Sequence, residues 1–402
     1  MTLSRKMVYA VATFFGLMSM GTRETFAARQ PAVVQYVVTN DDNAAANTAS
    51  FYSIGAGGSL TRKAVIKTGG TGIGTGYFAS ARANLLHDKT QSCVYASDAG
   101  SNDVAAINEV TLKRVGTFKA SSRDNGHISG IGMAANQRYL YAAFTSSNTI
   151  GTYRILSGCK LKFVKDVVAV GLGGGAPTGM AIHASLLVVA YGDGSIQSFK
   201  ISTGVPVSNH DQQNSTGYNT NLRPSAVDIS KDGHYAIFGD IPVKALYTTI
   251  EVSDISKGKL KPTIVYGGYD GSLGAGLNSS NIELSPDETL IYVSNNQGGT
   301  VTAVFFNKAT GVVSSGCISS VLKGFNATWL FGGAVALGNN ASGTGGVVYL
   351  AESGNGGASG IGMVTVKSTG TSCTLTESKS SPAADKASFG LLSIESYPPR
   401  SF

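Results

Sequence analysis

Charge is scarce in this chain: Asp, Glu, Lys and Arg together supply 14% of 402 residues. The net charge of +7 is therefore spread thinly. No cluster of Lys and Arg interleaves with aromatic residues, which argues against a nucleic-acid partner. Histidine is rare, with five copies. None of them forms a His-x-x-x-His or similar ligand pair, so the pattern offers no zinc site. No Gly-x-Ser-x-Gly elbow occurs, and a serine-hydrolase triad has no support. The glycine-rich stretches 69–76 and 171–175 lack a following Lys-Ser or Lys-Thr and a helix. They read as flexible loops rather than phosphate cradles. Beyond the N-terminus no apolar run reaches membrane-spanning length.

The N-terminus has its own pattern. Arg5 and Lys6 precede the apolar run Met7–Met20, and small residues follow at Ala27 and Ala28. This predicts a secretory signal peptide over 1–27, removed after Ala27, with 28–402 as the mature domain. The expected location is outside the cytoplasm: extracellular, periplasmic or at the cell surface. No transmembrane segment remains after signal removal, and the mature chain is read as a monomer. Four cysteines in an exported chain allow two disulfides in three connectivities. Asn-x-Ser/Thr sequons occur at Asn214, Asn278, Asn326 and Asn340, acceptors for glycosylation in a eukaryote.

What the sequence has in quantity is glycine, 52 residues, together with short β-branched and aromatic runs. Seven such runs share one form: Tyr36–Asn40 (YVVTN), Val94–Asp98 (VYASD), Leu140–Phe144 (LYAAF), Leu187–Tyr191 (LVVAY), Tyr235–Gly239 (YAIFG), Ile291–Asn295 (IYVSN) and Val348–Glu352 (VYLAE). Each reads as a strand ending in turn residues. A second run follows, then a more polar third run near a Gly-x-Leu. A small-residue run such as Pro177–Ala181 precedes the aromatic one. The unit therefore has four strands and cannot bury its own apolar faces, so units must stack. The first aromatic run has no small-residue strand before it. The segment Phe389–Ile394 has that character and no aromatic run after it. The predicted fold is all-β: a seven-bladed β-propeller with four-stranded blades, the first closed by the C-terminal strand.

Tyr36–Asn40 with Asn47–Ile54 and Gly58–Leu60 resembles the Tyr-Val-Thr-Asn repeats of bacterial surface propellers. Tyr139–Phe144 with Ser147–Ile150, and Ser285–Val293, resemble repeats of the seven-bladed lactonase family, which includes 6-phosphogluconolactonase-like enzymes and carboxymuconate cyclases. The resemblance spans nearly all of the mature chain and implies a fold more strongly than an activity. Active members use a His, Arg and Glu cluster on one face. Here Arg223 is retained, Ser225 stands where the His is expected, and Asp240 replaces the Glu.

Ligands of propellers sit at a mouth of the central channel, where loops converge. The loops after the aromatic strands carry Asp41, Asp42, Asp98, Asp193, Asp240, Asn295, Asn296 and Glu352. Those leading into the inner strands add Arg82, Arg123, His127 and Arg223. A lactonase would use Asp240 or Glu352 as base and Arg223 or Arg82 on the developing oxyanion. Arg82, Asp98, His127 and Asn295 would contact ligand. No cofactor is firmly implied, although a ring of oxygens has the chemistry for a hard cation such as calcium. The competing explanation is that Asp and Asn favour β-turns for their own backbone bonds. The partner is then a small lactone or, for a non-catalytic propeller, an extracellular protein or glycan. Cys159, Cys317 and Cys373 are each expected to open an outermost strand and Cys93 an aromatic strand. Cys93 with Cys159, in neighbouring units, is the first pairing to expect.

Overall fold

The computed structural model describes residues 36–74, 85–88, 92–119, 131–214, 222–242, 249–269, 279–295, 298–323, 335–337, 345–353, 359–384 and 393–396. The expected signal peptide lies outside these residues. The propeller unit runs over Gln35–Phe402.

Seven antiparallel sheets make up the fold. The inner strands, in blade order from I to VII, are Ser393–Ser396, Leu85–Asp88, Ile131–Ala135, Pro177–His183, Leu222–Ile229, Ser279–Leu284 and Val335–Leu337. Each packs beside the inner strand of the blade on either side, and the last returns to the first. The seven therefore close a ring and leave no terminal sheet face uncovered. Each aromatic run is the second strand of its blade.

Closure is effected by the C-terminal strand. Ser393–Ser396 pairs antiparallel with Val37–Asn40, Thr39 opposite Ile394. Of the sequence pattern Phe389–Ile394, the described strand holds Ser393 and Ile394. Residues 385–392 lie outside the described set.

Side chains alternate across each strand, so neighbouring residues enter different cores. Val37 faces blade VII, packed with Tyr349, Ala351 and Ile361. Val38 faces blade II, packed with Val94, Ala96 and Ile107. The hydrophobic core is thus seven separate layers, one in each seam between blades. Full burial of one such Val contributes about 2 kcal/mol. Tyrosines carry the attachment outward: the Tyr141 hydroxyl donates to Gly204 O at 2.7 Å, and that of Tyr349 to Gly58 O at 2.9 Å. Each joins a blade to its successor.

Five sheets have four strands and two have five. In blade IV the outer strand is divided into Val207–Ser208 and Gln213–Asn214. Between them Asp211 accepts from Ser198 N at 2.9 Å and Leu260 N at 2.8 Å, which pins the interruption to blade V. Blade VII is divided likewise, into Cys373–Glu377 and Ala383–Ala384.

Two disulfides join neighbouring blades: Cys93–Cys159 and Cys317–Cys373, each with Cα atoms 5.6 Å apart. The first is the pairing expected from sequence. Cys317 departs from expectation. It lies near the end of Val312–Ile318, whereas Cys373 opens its own outer strand. This offset lets the two meet, because they are not at equivalent positions of their blades.

Candidate functional site: the mouth of the ring

At the junctions of the second and third strands stand Asp41, Asp98, Asp193 and Asn295. Their chemistry is set by what donates to them. Asp41 is fully buried and accepts from Thr39 Oγ1 at 2.7 Å, Thr48 Oγ1 at 2.6 Å and Ser50 Oγ at 2.7 Å. Asn295 is built on the same plan, its amide donating to Thr300 Oγ1 at 3.0 Å and Thr302 Oγ1 at 2.8 Å. The hydroxyls of Thr48, Ser50, Thr300 and Thr302 come from alternate residues at the start of the third strand, which share one face. The recurring Thr-x-Ser and Thr-x-Thr at 48–50 and 300–302 is a sequence signal that the acceptor ring alone does not reveal.

The glycine-rich loops are not slack. Asp193 accepts from Gly173 N at 2.7 Å, Gly175 N at 2.9 Å, and Ser195 N and Oγ at 3.0 and 2.7 Å. Asp42 accepts from Ile73 N at 2.7 Å. Both loops are nests of amides, filled by the chain's own carboxylates. Burial acts against the Asp193 charge, but the Ser195 hydroxyl and these amides outweigh it and hold its pKa below the usual value.

Asp98 differs. It is fully buried in the seam between blades I and II. Its Oδ1 accepts from Asn47 Nδ2 at 2.8 Å and Thr68 Oγ1 at 2.6 Å, both from blade I. Its Oδ2 is buried without a hydrogen-bond partner among the described residues. Asp103 stands directly opposite on the next strand. Burial is the main cause that pushes Asp98 up to about 6; Thr68, Asn47 and Arg114 oppose it, and Asp103 adds to it. This residue was expected to touch ligand at the mouth. The structure instead encloses it between blades.

For the three expected catalytic residues the backbone is described. Arg223 and Asp240 lie on the first two strands of blade V, with Pro224 opposite Asp240 and Arg223 opposite Ile241. The register shifts between Pro224 and Ala226 at this point. Glu352 is on blade VII, opposite Gly360. Arg82 and His127 lie outside the described residues. Among the described residues no group of three His, Cys, Asp or Glu gathers as a metal site. Nor is any helix among them long and apolar enough to cross a membrane.

No protein-family model and no curated protein matches the chain. Solved structures do resemble it. A candidate 6-phosphogluconolactonase of Bacteroides fragilis has a TM-score of 0.68 at 13% identity, over 91% of this chain and 99% of that one. The periplasmic gluconolactonase PpgL of Pseudomonas aeruginosa has 0.55 at 13%, over 71% and 82%. A hypothetical selenium-binding protein of Sulfolobus tokodaii has 0.64 at 10%, over 92% and 95%. At these identities the likeness is one of fold.

Proposed function

We propose that this chain is an exported lactonase-like propeller that opens a small lactone at the mouth of its ring, with Asp240 as base and Arg223 as oxyanion partner. The supporting observation is the placement of Arg223 and Asp240 on the adjacent first and second strands of blade V, next to the break in register between Pro224 and Ala226. Asp240 takes a proton from water, the oxygen adds to the lactone carbonyl, and the guanidinium of Arg223 balances the oxyanion. Collapse breaks the ring C–O bond, and the proton returns to the departing alkoxide. The product is the open hydroxy acid. Two gluconolactonase-type neighbours of the same fold favour a lactone as the substrate class. Two interblade disulfides suit an oxidising compartment.

A panel of sugar lactones tests the reading against spontaneous hydrolysis. Asp240→Asn is expected to lower turnover at least about a hundredfold. Turnover unchanged by that substitution removes Asp240 from the role, and Glu352→Gln then tests the second carboxylate.

One observation favours a non-catalytic ligand- or protein-binding propeller instead. The acceptors Asp41, Asp193 and Asn295 are engaged by hydroxyls and amides of the chain itself. Saturable lactone or glycan binding with no turnover would decide for this second reading.

A further inference from the structure

The seam between blades I and II holds a carboxylate that its surroundings are not built to keep charged. Asp98 is fully buried, and only one of its two oxygens has donors. Its Oδ2 is turned toward Gly70, where an added Cβ would stand 2.5 Å from it and 2.5 Å from Ser101 Oγ. Amides of this loop bond elsewhere, Thr71 N donating to Ser101 Oγ at 2.9 Å and Gly72 N to Asn43 O at 2.8 Å, while Thr71 O accepts from Gly100 N at 2.9 Å. Of these, the Thr71–Ser101 and Gly100–Thr71 bonds cross the seam. These two bonds tie the loop leaving blade I to the turn 98–103 of blade II. Asp98 lies directly beneath the tie.

We propose that Asp98 is the proton site of a latch between the first and second blades. With a proton on Oδ2, the carboxyl is neutral, Oδ1 keeps its two donors from blade I, and the seam stays closed. When the proton leaves to water, a buried charge with one unsatisfied oxygen remains, and the loop loosens from the turn. A buried ion without donors is costly in this way. Among the described residues the charged groups around Asp98 are few. On blade II, Asp103 opposes its ionisation and Arg114 favours it. Arg114 Nη1 is itself held by Thr68 O at 3.2 Å and Thr117 Oγ1 at 3.1 Å. Lys119 acts on Asp103. On blade I, Asp41 and Asp42 are occupied by the hydroxyls and amides described above.

The sign follows from linkage. The folded value of about 6 exceeds the ordinary 3.8, so the closed seam is favoured in acid and weakened as pH rises through about 6.

Hydrogen exchange on the whole chain, corrected for the intrinsic rate, reads the latch directly. Protection of the Thr71 and Gly100 amides is expected to fall about twentyfold between roughly pH 4.5 and 7.5. In Asp98→Asn it is expected to stay flat and high. A flat wild type, or a fall that persists in Asp98→Asn, overturns the latch. So does calcium chloride restoring protection at about pH 7.5 in the wild type but not in Asp98→Asn, because the occupant is then a cation. Should Asp98→Asn fail to fold, Asp103→Asn serves. It removes the like charge and is expected to move the midpoint to lower pH, and an unmoved midpoint overturns the proposal.

Discussion

Asp98 and Asp193 hold corresponding places in blades II and IV. Each ends or follows a second strand, and each meets a glycine-rich loop arriving from the blade before. Their charge states diverge. At Asp193 the loop points the Gly173 and Gly175 amides at the carboxylate, and the pKa falls. At Asp98 the loop presents Gly70 and turns its Thr71, Gly72 and Ile73 amides to Ser101, Asn43 and Asp42, and the pKa rises. The difference teaches that residue type and blade position do not set the charge of a turn carboxylate. Depth of burial and the direction of the neighbouring amides do: Asp98 is fully buried with no backbone amide donor among the described residues, whereas Asp193 is half-buried and receives backbone amides. Acid therefore tightens the seam at Asp98 and slackens the loop at Asp193.

Four changes test that contrast, in falling order of effect. Seams II–III and VI–VII are covalently braced, whereas no described disulfide crosses I–II. Replacing Cys93 and Cys159 together by Ser is expected to lower unfolding free energy by about 3 kcal/mol, read by chemical denaturation. It should leave the pH response at Thr71 intact. Asp193→Ala strands three amides and a hydroxyl, at a cost of about 2 kcal/mol near neutral pH. That cost should shrink as pH falls through the depressed pKa. Gly70→Ala drives a methyl against Asp98 Oδ2, whereas Gly173→Ala meets its nearest neighbour at 3.4 Å. The first should lower stability by about 1.5 kcal/mol and the second by under about 0.5. Equal losses would show that the loops are not packed differently. Asp98→Asn keeps the Oδ1 acceptor and removes the charge. A gain of about 1 kcal/mol at pH about 7.5, vanishing near pH 4, is expected from melting curves.

The ring was legible because its signal repeats. Seven aromatic runs with turn punctuation, and an orphan small-residue strand at the far end, predict closure without any one copy being decisive. The first disulfide followed from the same repeat map. Cys317 did not, because its place depends on how far the outer strand extends past its turn, and periodicity does not fix strand ends. The mouth was half legible. The acceptors could be listed, but an acceptor ring looks the same whether its lone pairs face a ligand or a neighbour's hydroxyl. Thr48, Ser50, Thr300 and Thr302 distinguish the two for Asp41 and Asn295. For Asp98 no local pattern announces burial, since Asn47 and Thr68 reach it from another blade.

The pairing of Ser393–Ser396 with Val37–Asn40 has a consequence for biogenesis. A strand made near the beginning must wait for one made at the end, so blade I stays an open edge throughout synthesis. Contacts of such sequence separation form slowly. An unfinished chain exposes a sticky β edge the whole time. A deletion that removes Ser393–Ser396 should therefore send the product to aggregation or proteolysis rather than to a six-bladed remnant.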